Sequence, residues 1–445
     1  MCNRFWNYII KSFWQTGVLM LIVVGATAQN NTVSLGLQQA IDSTLQRNKD
    51  VQLAMLEQRI AQSKYKEMDA VFLPQVDFSF TALHSDNPLN VFGFKLQQQS
   101  VQAADFNPTL LNNPKSIGDF TAKLQVKQPI LNLDMIHLRK AVAKQADIYG
   151  YKAQRTKEYL TYEVQKAYLQ LQLLYQQVSV LQEALATAQA TAVFVQHRVD
   201  EGLMQKADLM NTKVMMTGIE SSIAEAKSNI ANASDFLSLL MDKPYGTVYA
   251  VQQGANSMTV NTGKTIAANR ADFAAMQAAI DASDLAMAAG KKSYLPKLNA
   301  FASYQYNDRS LLGFGSGSYL AGAMLSWDIF KGNSTKNKLA TQQLERTRLA
   351  DQLDIQRQQS DLELAKTIRQ YDDANYRIAQ QEAAVATATE ALRMLKDRHE
   401  QGLAGNTDLL MAQNQLSQQK LALANAIFQR NSTAALIQFL TANTQ

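Results

Sequence analysis

The side chains of this 445-residue chain best suited to hold a metal or move a proton are its four histidines, His84, His137, His197 and His399. They show no metal-ligand spacing among themselves. No phosphate-binding loop, nucleophile elbow or paired-carboxylate pattern stands out from ordinary surface charge. The one cysteine, Cys2, lies in the N-terminal segment 1–28, so the rest of the chain has no disulfide, thiol catalyst or thiolate ligand. The expected cofactors, metal ligands and catalytic residues are therefore none, and the chain does not read as an enzyme. Two aspartates repay closer reading because their surroundings recur. Residues 201–210 read EGLMQKADLM and residues 401–410 read QGLAGNTDLL, with Gly-Leu and Asp-Leu in identical register. Gly202 and Gly402 suit the positive φ that ends a helix. Asp208 and Asp408 suit the capping of a following helix, by accepting its free N–H groups. Neither role accounts for Leu203 and Leu403, and an apolar side chain at an exposed turn suggests a docking surface.

The elements that carry this pair are themselves duplicated. EVQKAY (163–168) matches ELAKTI (363–368) at the same spacing of 200, and AVFLPQVDFSF (70–80) matches KSYLPKLNAFA (292–302). The offset changes because the first copy carries an extra segment between Leu89 and about Leu111. The chain is thus two tandem repeats, 29–243 and 263–445, joined by a polar linker, 244–262. Each repeat runs helix, Leu-Pro, strand, loop, strand, very long helix, Gly-Leu turn, helix. The segment 1–28 has positive charge at Arg4 and Lys11, the apolar run GVLMLIVVG (17–25) and small residues at Ala26 to Ala28. This is the pattern of a signal peptide, so the chain is exported. Net charge is +5, or +3 once Arg4 and Lys11 leave with that segment, and nothing in the balance asks for nucleic acid.

Proline cannot continue a helix, so the change to strand belongs at Leu73-Pro74 and at Leu295-Pro296. Beyond these points Val76, Phe78, Phe80 and Ala82 alternate with polar residues, as do Phe120, Ala122, Leu124 and Val126. In the second copy the sets are Leu298, Ala300, Ala302 and Tyr304, where Phe301 breaks the pattern, and Ala321, Ala323, Leu325 and Trp327. Period-two alternation gives one apolar and one polar face. Runs of about ten residues suit membrane strands, although a soluble half-buried sheet alternates in the same way. Four strands leave open edges that lipid does not tolerate, so a barrel would be shared between chains: eight strands from two protomers, twelve from three.

From about Leu133 to Val199, and again from about Ser334 to Glu400, no proline interrupts the chain. About 67 helical residues at 1.5 Å each make a rod of roughly 100 Å. Leu209, Met216, Ile223, Ile230 and Leu237 recur every seven residues, as do Leu409, Leu416, Leu423 and Ile437 around Arg430, which breaks the second series. Such heptads predict coiled-coil pairing. The fold class is therefore mixed α and β, mostly long coiled-coil helices, with four strands per protomer.

The two-copy plan, the Leu-Pro transitions, QPILN (128–132) with its counterpart WDIFKG (327–332), and the Gly-Leu turns resemble TolC-type outer-membrane efflux proteins. That resemblance covers nearly the whole exported chain. It implies a homotrimer in outer-membrane lipid, whose shared twelve-stranded β-barrel continues into an α-helical barrel across the periplasm. It also implies an exit duct for efflux or type I secretion, served by a periplasmic adaptor and an inner-membrane pump of RND, ABC or MFS type. Gly202, Leu203, Gly402 and Leu403 become adaptor-contact tips. Asp408, Asp208 and Arg398 become gate candidates, although a solvated helix end accounts better for Arg398. Some family members carry a second aspartate one turn on; Met411 and Asn211 stand there, so a double acidic ring is not implied. The long loop 85–119, with Phe92, Phe94 and Phe106, is expected outside the cell, folded over the barrel mouth or against a neighbour. Cargo stays open among drugs, metals and proteins. A trimeric coiled-coil structural or adhesive envelope protein with its own barrel anchor is the rival reading; the even division of strands between two copies favours a conduit.

Overall fold

The computed structural model describes residues 32–252, 260 and 265–442. The signal peptide and part of the 244–262 linker lie outside the described residues. The chain forms two compact units, and each draws on both sequence copies. One comprises residues up to Gln52 with Thr156–Ala267 and Ser360–Ala442; the other comprises Leu53–Arg155 and Ala268–Gln359.

The second of these units holds a four-stranded sheet. Its strands are β2 (Gln75–Ser85), β3 (Ile117–Leu131), β5 (Lys297–Asp308) and β6 (Ser316–Ser326), in the spatial order β2-β3-β5-β6. Every neighbouring pair is antiparallel. The register places Phe78 opposite Leu124, Leu124 opposite Tyr304 and Tyr304 opposite Tyr319, so one apolar face runs across all four strands. The other face carries Ser79, Lys123, Gln305 and Ser318 in one row. Apolar side chains on the first face are exposed, Phe78 and Leu325 among them. Phe301, which interrupts the alternation, stands opposite Gly322, where a Cβ would approach its ring to 3.1 Å. The absent side chain of Gly322 makes room for that ring.

Between β2 and β3 the chain is not a bare loop. It contains α3 (Pro88–Gln97) and α4 (Pro108–Asn112), each begun by an asparagine followed by proline. Asn87 Oδ1 accepts the Leu89 N–H at 3.0 Å, and Asn107 Oδ1 accepts the Thr109 N–H at 3.0 Å. Proline at the first helical position supplies a fixed φ and lacks only an N–H that would be unpaired there. Phe92 and Phe106 meet edge to face at 5.7 Å. The segment is tied to the sheet by Gln98, whose Nε2 donates to Gly118 O and Asp119 Oδ1 at 2.9 Å each.

The first unit is built on long helices. α5 (Leu133–Asp200) and α8 (Ser334–Glu400) begin in the other unit and end here, where α6 (Lys206–Leu240) and α9 (Asn406–Leu440) follow them. The heptad positions are used: Leu209, Ile223, Ile230 and Leu237 are buried in α6, and Leu409, Leu416 and Ile437 in α9. Among the described residues one helix, α5, is long and apolar enough by composition to cross a membrane. Its Leu160, Val164, Leu171, Leu174 and Val178 instead lie in the core of this unit, packed with Ile230 and Leu237.

Two features depart from the sequence reading. The helix expected before Leu73-Pro74 is not a single one, but splits into α1 (Leu37–Arg47) and α2 (Lys49–Glu67). Its counterpart in the second copy is the single helix α7 (Ala271–Lys292). Asn48 causes the break: its Oδ1 accepts the Asp50 N–H at 2.8 Å and its Nδ2 donates to Leu240 O at 2.9 Å. Within the expected linker, β4 (Val248–Val251) pairs in parallel with β1 (Thr32–Leu35). A face of α5 holds this pair: Tyr168 donates its hydroxyl to Leu35 O at 3.0 Å, Gln172 its amide to Gln252 O at 2.8 Å and Tyr175 its hydroxyl to Tyr249 O at 2.9 Å.

Candidate functional site at the hairpin tips

The two Gly-Leu turns close in the same way. At the end of α5, Leu203 N donates to Arg198 O at 2.8 Å and Gly202 N to Val199 O at 3.0 Å. At the end of α8, Leu403 N donates to Arg398 O at 2.8 Å and Gly402 N to His399 O at 3.0 Å. This six-to-one and five-to-two pairing satisfies the last helical carbonyls and needs a left-handed residue, which Gly202 (φ +72°) and Gly402 (φ +74°) supply. Leu203 and Leu403 are thereby held just beyond each helix and are 62% and 65% exposed.

The aspartates do not occupy the cap positions expected of them. The N-cap residues are Gln205 and Gly405, and each aspartate stands three positions further on. Asp408 Oδ2 reaches back to the Gly405 N–H at 3.3 Å, whereas no hydrogen bond to the Asp208 carboxylate occurs among the described residues. Asp408 is exposed and Asp208 half-buried. Arg398 is exposed, its carbonyl is engaged in the turn, and its guanidinium has no ion-pair partner among the described residues.

The structure joins the two tips through residues that the sequence reading passed over. Asn406, at the start of α9, donates through Nδ2 to Asp208 O at 3.2 Å and Thr212 Oγ1 at 3.1 Å. Gln413 Nε2 donates to Ala184 O at 2.7 Å, and Lys420 Nζ reaches Glu183 Oε1 at 2.6 Å. The acceptor oxygens of Asn406 and Gln413 are buried and have no partner among the described residues. A buried polar contact that is only half satisfied holds less tightly than a complete one.

His399 is 3% exposed and packs on Phe194, ring centroids 5.1 Å apart, with the Arg198 guanidinium 5.3 Å from the same phenyl ring. Burial pushes the imidazole below its ordinary value of 6.5; Glu400 and Asp208 pull it back up, and Arg198 pushes it further down. A base with a depressed folded value binds fewer protons than in the unfolded chain, so its packing weakens as pH falls below 6.5. Lowering the pH through this window is expected to speed protease cleavage between 398 and 406 in the wild-type protein. In His399→Phe the dependence should flatten; an unchanged pH profile would exclude the imidazole as its source.

The chain thus combines duplicated hairpins with exposed apolar tips and an amphipathic four-stranded sheet with an exposed apolar face. The chain belongs to the outer membrane efflux protein family, whose model matches residues 40–241 and again 263–443. It is similar to the Cation efflux system protein CusC of Escherichia coli O157:H7, with 21% identity over 387 residues that cover 84% of this chain and 79% of that protein. A crystal structure of CusC has the same fold, with a TM-score of 0.79 at 17% identity over 95% of this chain and 96% of that one. So does the outer membrane protein VceC of Vibrio cholerae, with a TM-score of 0.75 at 18% identity over 92% of this chain and 97% of that one. The protein is thus an outer-membrane efflux channel.

Proposed function

We propose that three copies of this chain close one twelve-stranded barrel in the outer membrane, continued into the periplasm by their helical hairpins as the exit duct of a tripartite system. The observation that carries this reading is the sheet order β2-β3-β5-β6, with both outer strands unpaired. β2 and β6 run in opposite directions and each has 11 residues, so β6 of one copy is matched to extend the ladder at β2 of the next. Closure removes the edges that lipid cannot satisfy. It also turns the continuous apolar face outward and the row Ser79, Lys123, Gln305 and Ser318 toward the lumen.

At the hairpin tips Leu203 and Leu403, set by Gly202 and Gly402, dock a periplasmic adaptor that couples the duct to an inner-membrane pump of RND, ABC or MFS type. Asp408, exposed and beside the tip, serves as the gate acid. Asp208 raises the pKa of the His399 imidazole electrostatically, and Arg398, exposed and without an ion-pair partner among the described residues, supplies a cation beside the tip. Opening moves the second-copy hairpin away from the first by breaking the Asn406 and Gln413 contacts. The test is the native mass of the complex extracted from outer membranes in detergent, joined to single-channel conductance in planar bilayers. Three copies per particle and a conductance that rises in Asn406→Ala and Gln413→Ala are expected. A monomeric particle, which would leave the four-stranded sheet unclosed, would overturn the reading.

A further inference from the structure

Both sides of the barrel seam carry apolar side chains that are exposed in this chain. Leu89 is 80% exposed, and Leu96, Phe106 and Leu110 are also exposed in the segment that follows β2. Leu312 is 76% exposed, and Leu311 and Phe314 are exposed in the loop that precedes β6. A cluster of large apolar residues on an outer loop marks an interface more often than chance exposure.

The two groups belong to the same end of the sheet. Ser85, the last residue of β2, pairs with Ile117; Asp308, the last of β5, pairs with Phe120; Asn307 pairs with Ser316, the first of β6. The two groups are also at opposite edges. β2 and β6 are the outer strands, separated by β3 and β5, so the start of α3, with Leu89, follows the β2 edge and the 309–315 loop leads into the β6 edge. The end of α3 leans inward over the sheet, where Gln98 Nε2 reaches Asp308 O and Asn307 Nδ2 donates to Gln97 Oε1, each at 3.4 Å, yet Leu89 and Leu312 stay exposed. The α3–α4 segment is not free to fold away, because Gln98 is bonded to Gly118 and Asp119 of its own β3, and Lys95 is paired with Asp105. The β5–β6 loop is likewise fixed: Asp308 accepts the Ser310 N–H at 2.8 Å and the Gly315 N–H at 3.0 Å.

We propose that the α3–α4 segment of each protomer packs its apolar side chains on the 309–315 loop of the next, so that copies of this chain are clasped together at the outer rim. The proposal rests on the trimeric barrel reading, because β6-to-β2 closure brings the Leu89 end of α3 in one copy beside the 309–315 loop of the next. It assigns the occupant of both surfaces: each is the other's, on a neighbouring copy. The segment inserted in the first copy then serves assembly, giving each seam a dry contact above the lipid in addition to its strand hydrogen bonds.

The exported chain has no cysteine, which makes the test direct. With Cys2 replaced by serine, the pairs Leu89→Cys/Leu312→Cys, Phe106→Cys/Leu311→Cys and Leu110→Cys/Phe314→Cys are treated in intact cells with a short bis-maleimide. A seam control combines Ser79→Cys with Ser318→Cys, Leu320→Cys or Met324→Cys, all on the lumenal face. The expected result is covalent trimers from at least one rim pair and one seam pair. Seam crosslinking without any rim crosslinking would overturn the clasp and leave the barrel standing. Failure of both would overturn the clasp together with the trimeric reading. The double variant Leu89→Ser/Leu312→Ser should lower the temperature at which the trimer dissociates in SDS. Full reactivity of Leu89→Cys and Leu312→Cys toward a water-soluble maleimide in the assembled protein would show both surfaces uncovered, and would also overturn the clasp.

Discussion

Replacing Leu203 and Leu403 together by aspartate is expected to reduce efflux to that of a strain without the channel, while the protein still assembles in the outer membrane. The two leucines are mostly exposed, so their replacement removes little folding free energy; surface changes of this kind cost within about 0.5 kcal/mol. The turn itself is held by backbone bonds from Gly202, Leu203, Gly402 and Leu403 to carbonyls in the preceding helix, and these do not depend on the leucine side chains. An interface anchor is different. Truncating one costs about 2 kcal/mol or more, close to a thirty-fold loss of affinity, and burying a carboxylate in its place adds desolvation. Two such losses acting on one docking event leave no measurable complex. Leu203→Met/Leu403→Met keeps the apolar volume and should retain activity. Copurification of the adaptor with the double aspartate variant at the wild-type level would show that the tips are not the docking surface. The single substitutions should differ, because the second-copy tip, joined to the first by Asn406 and Gln413, is the one that moves in the proposed gate.

What could be read beforehand follows the range of the forces involved. The four strands were legible because their alternation is set by one dominant contrast, an apolar face against a polar one, and the register carries it across the sheet. The long helices were legible because heptad leucines and a lack of proline are local signals. Phe301 looked like an exception in its own strand; its reason, the missing side chain of Gly322, lies on the neighbouring strand. The helices between β2 and β3 were within reach, since Asn87-Pro88 and Asn107-Pro108 are helix-start signals that the length of the insert obscured. At the tips Gly202 and Gly402 announced their positive φ, but the roles of the aspartates did not follow from spacing. Each turn is shorter than the spacing suggests, so Gln205 and Gly405 hold the cap positions. Asn406, Gln413 and Phe194 gave no local signal at all. In helices rich in Gln and Asn, the few that are buried are selected by a partner helix far away in the chain.

Tyr249→Ala is expected to be the most damaging single change outside the tips, although Tyr249 lies in what the sequence presents as a polar linker. It is 2% exposed within the core that includes Leu171, Ile230 and Leu237. Its hydroxyl lies 3.0 Å from Ser238 Oγ, its N–H donates to Ser234 Oγ at 3.2 Å, and its carbonyl accepts the Tyr175 hydroxyl. Removing a buried aromatic ring costs about 3–5 kcal/mol through lost transfer and the cavity that remains. Ser238, also fully buried, would then lose that partner, at roughly a further 1 kcal/mol or more. Tyr249→Phe keeps the ring and gives up only the hydroxyl contact, so it should cost about 1 kcal/mol. The comparison therefore separates packing from hydrogen bonding. The measured quantity is the rate of limited proteolysis between 244 and 252, where β4 pairs with β1. Wild type and Tyr249→Phe should be cut slowly and Tyr249→Ala quickly. If Tyr249→Phe is cut as fast as Tyr249→Ala, the hydroxyl contact with Ser238 and not the buried ring holds the β1–β4 pair. If neither is cut faster than wild type, the β1–β4 pair is held by the Tyr168, Gln172 and Tyr175 contacts from α5 alone, and the joint between the two copies is anchored by that one helix face.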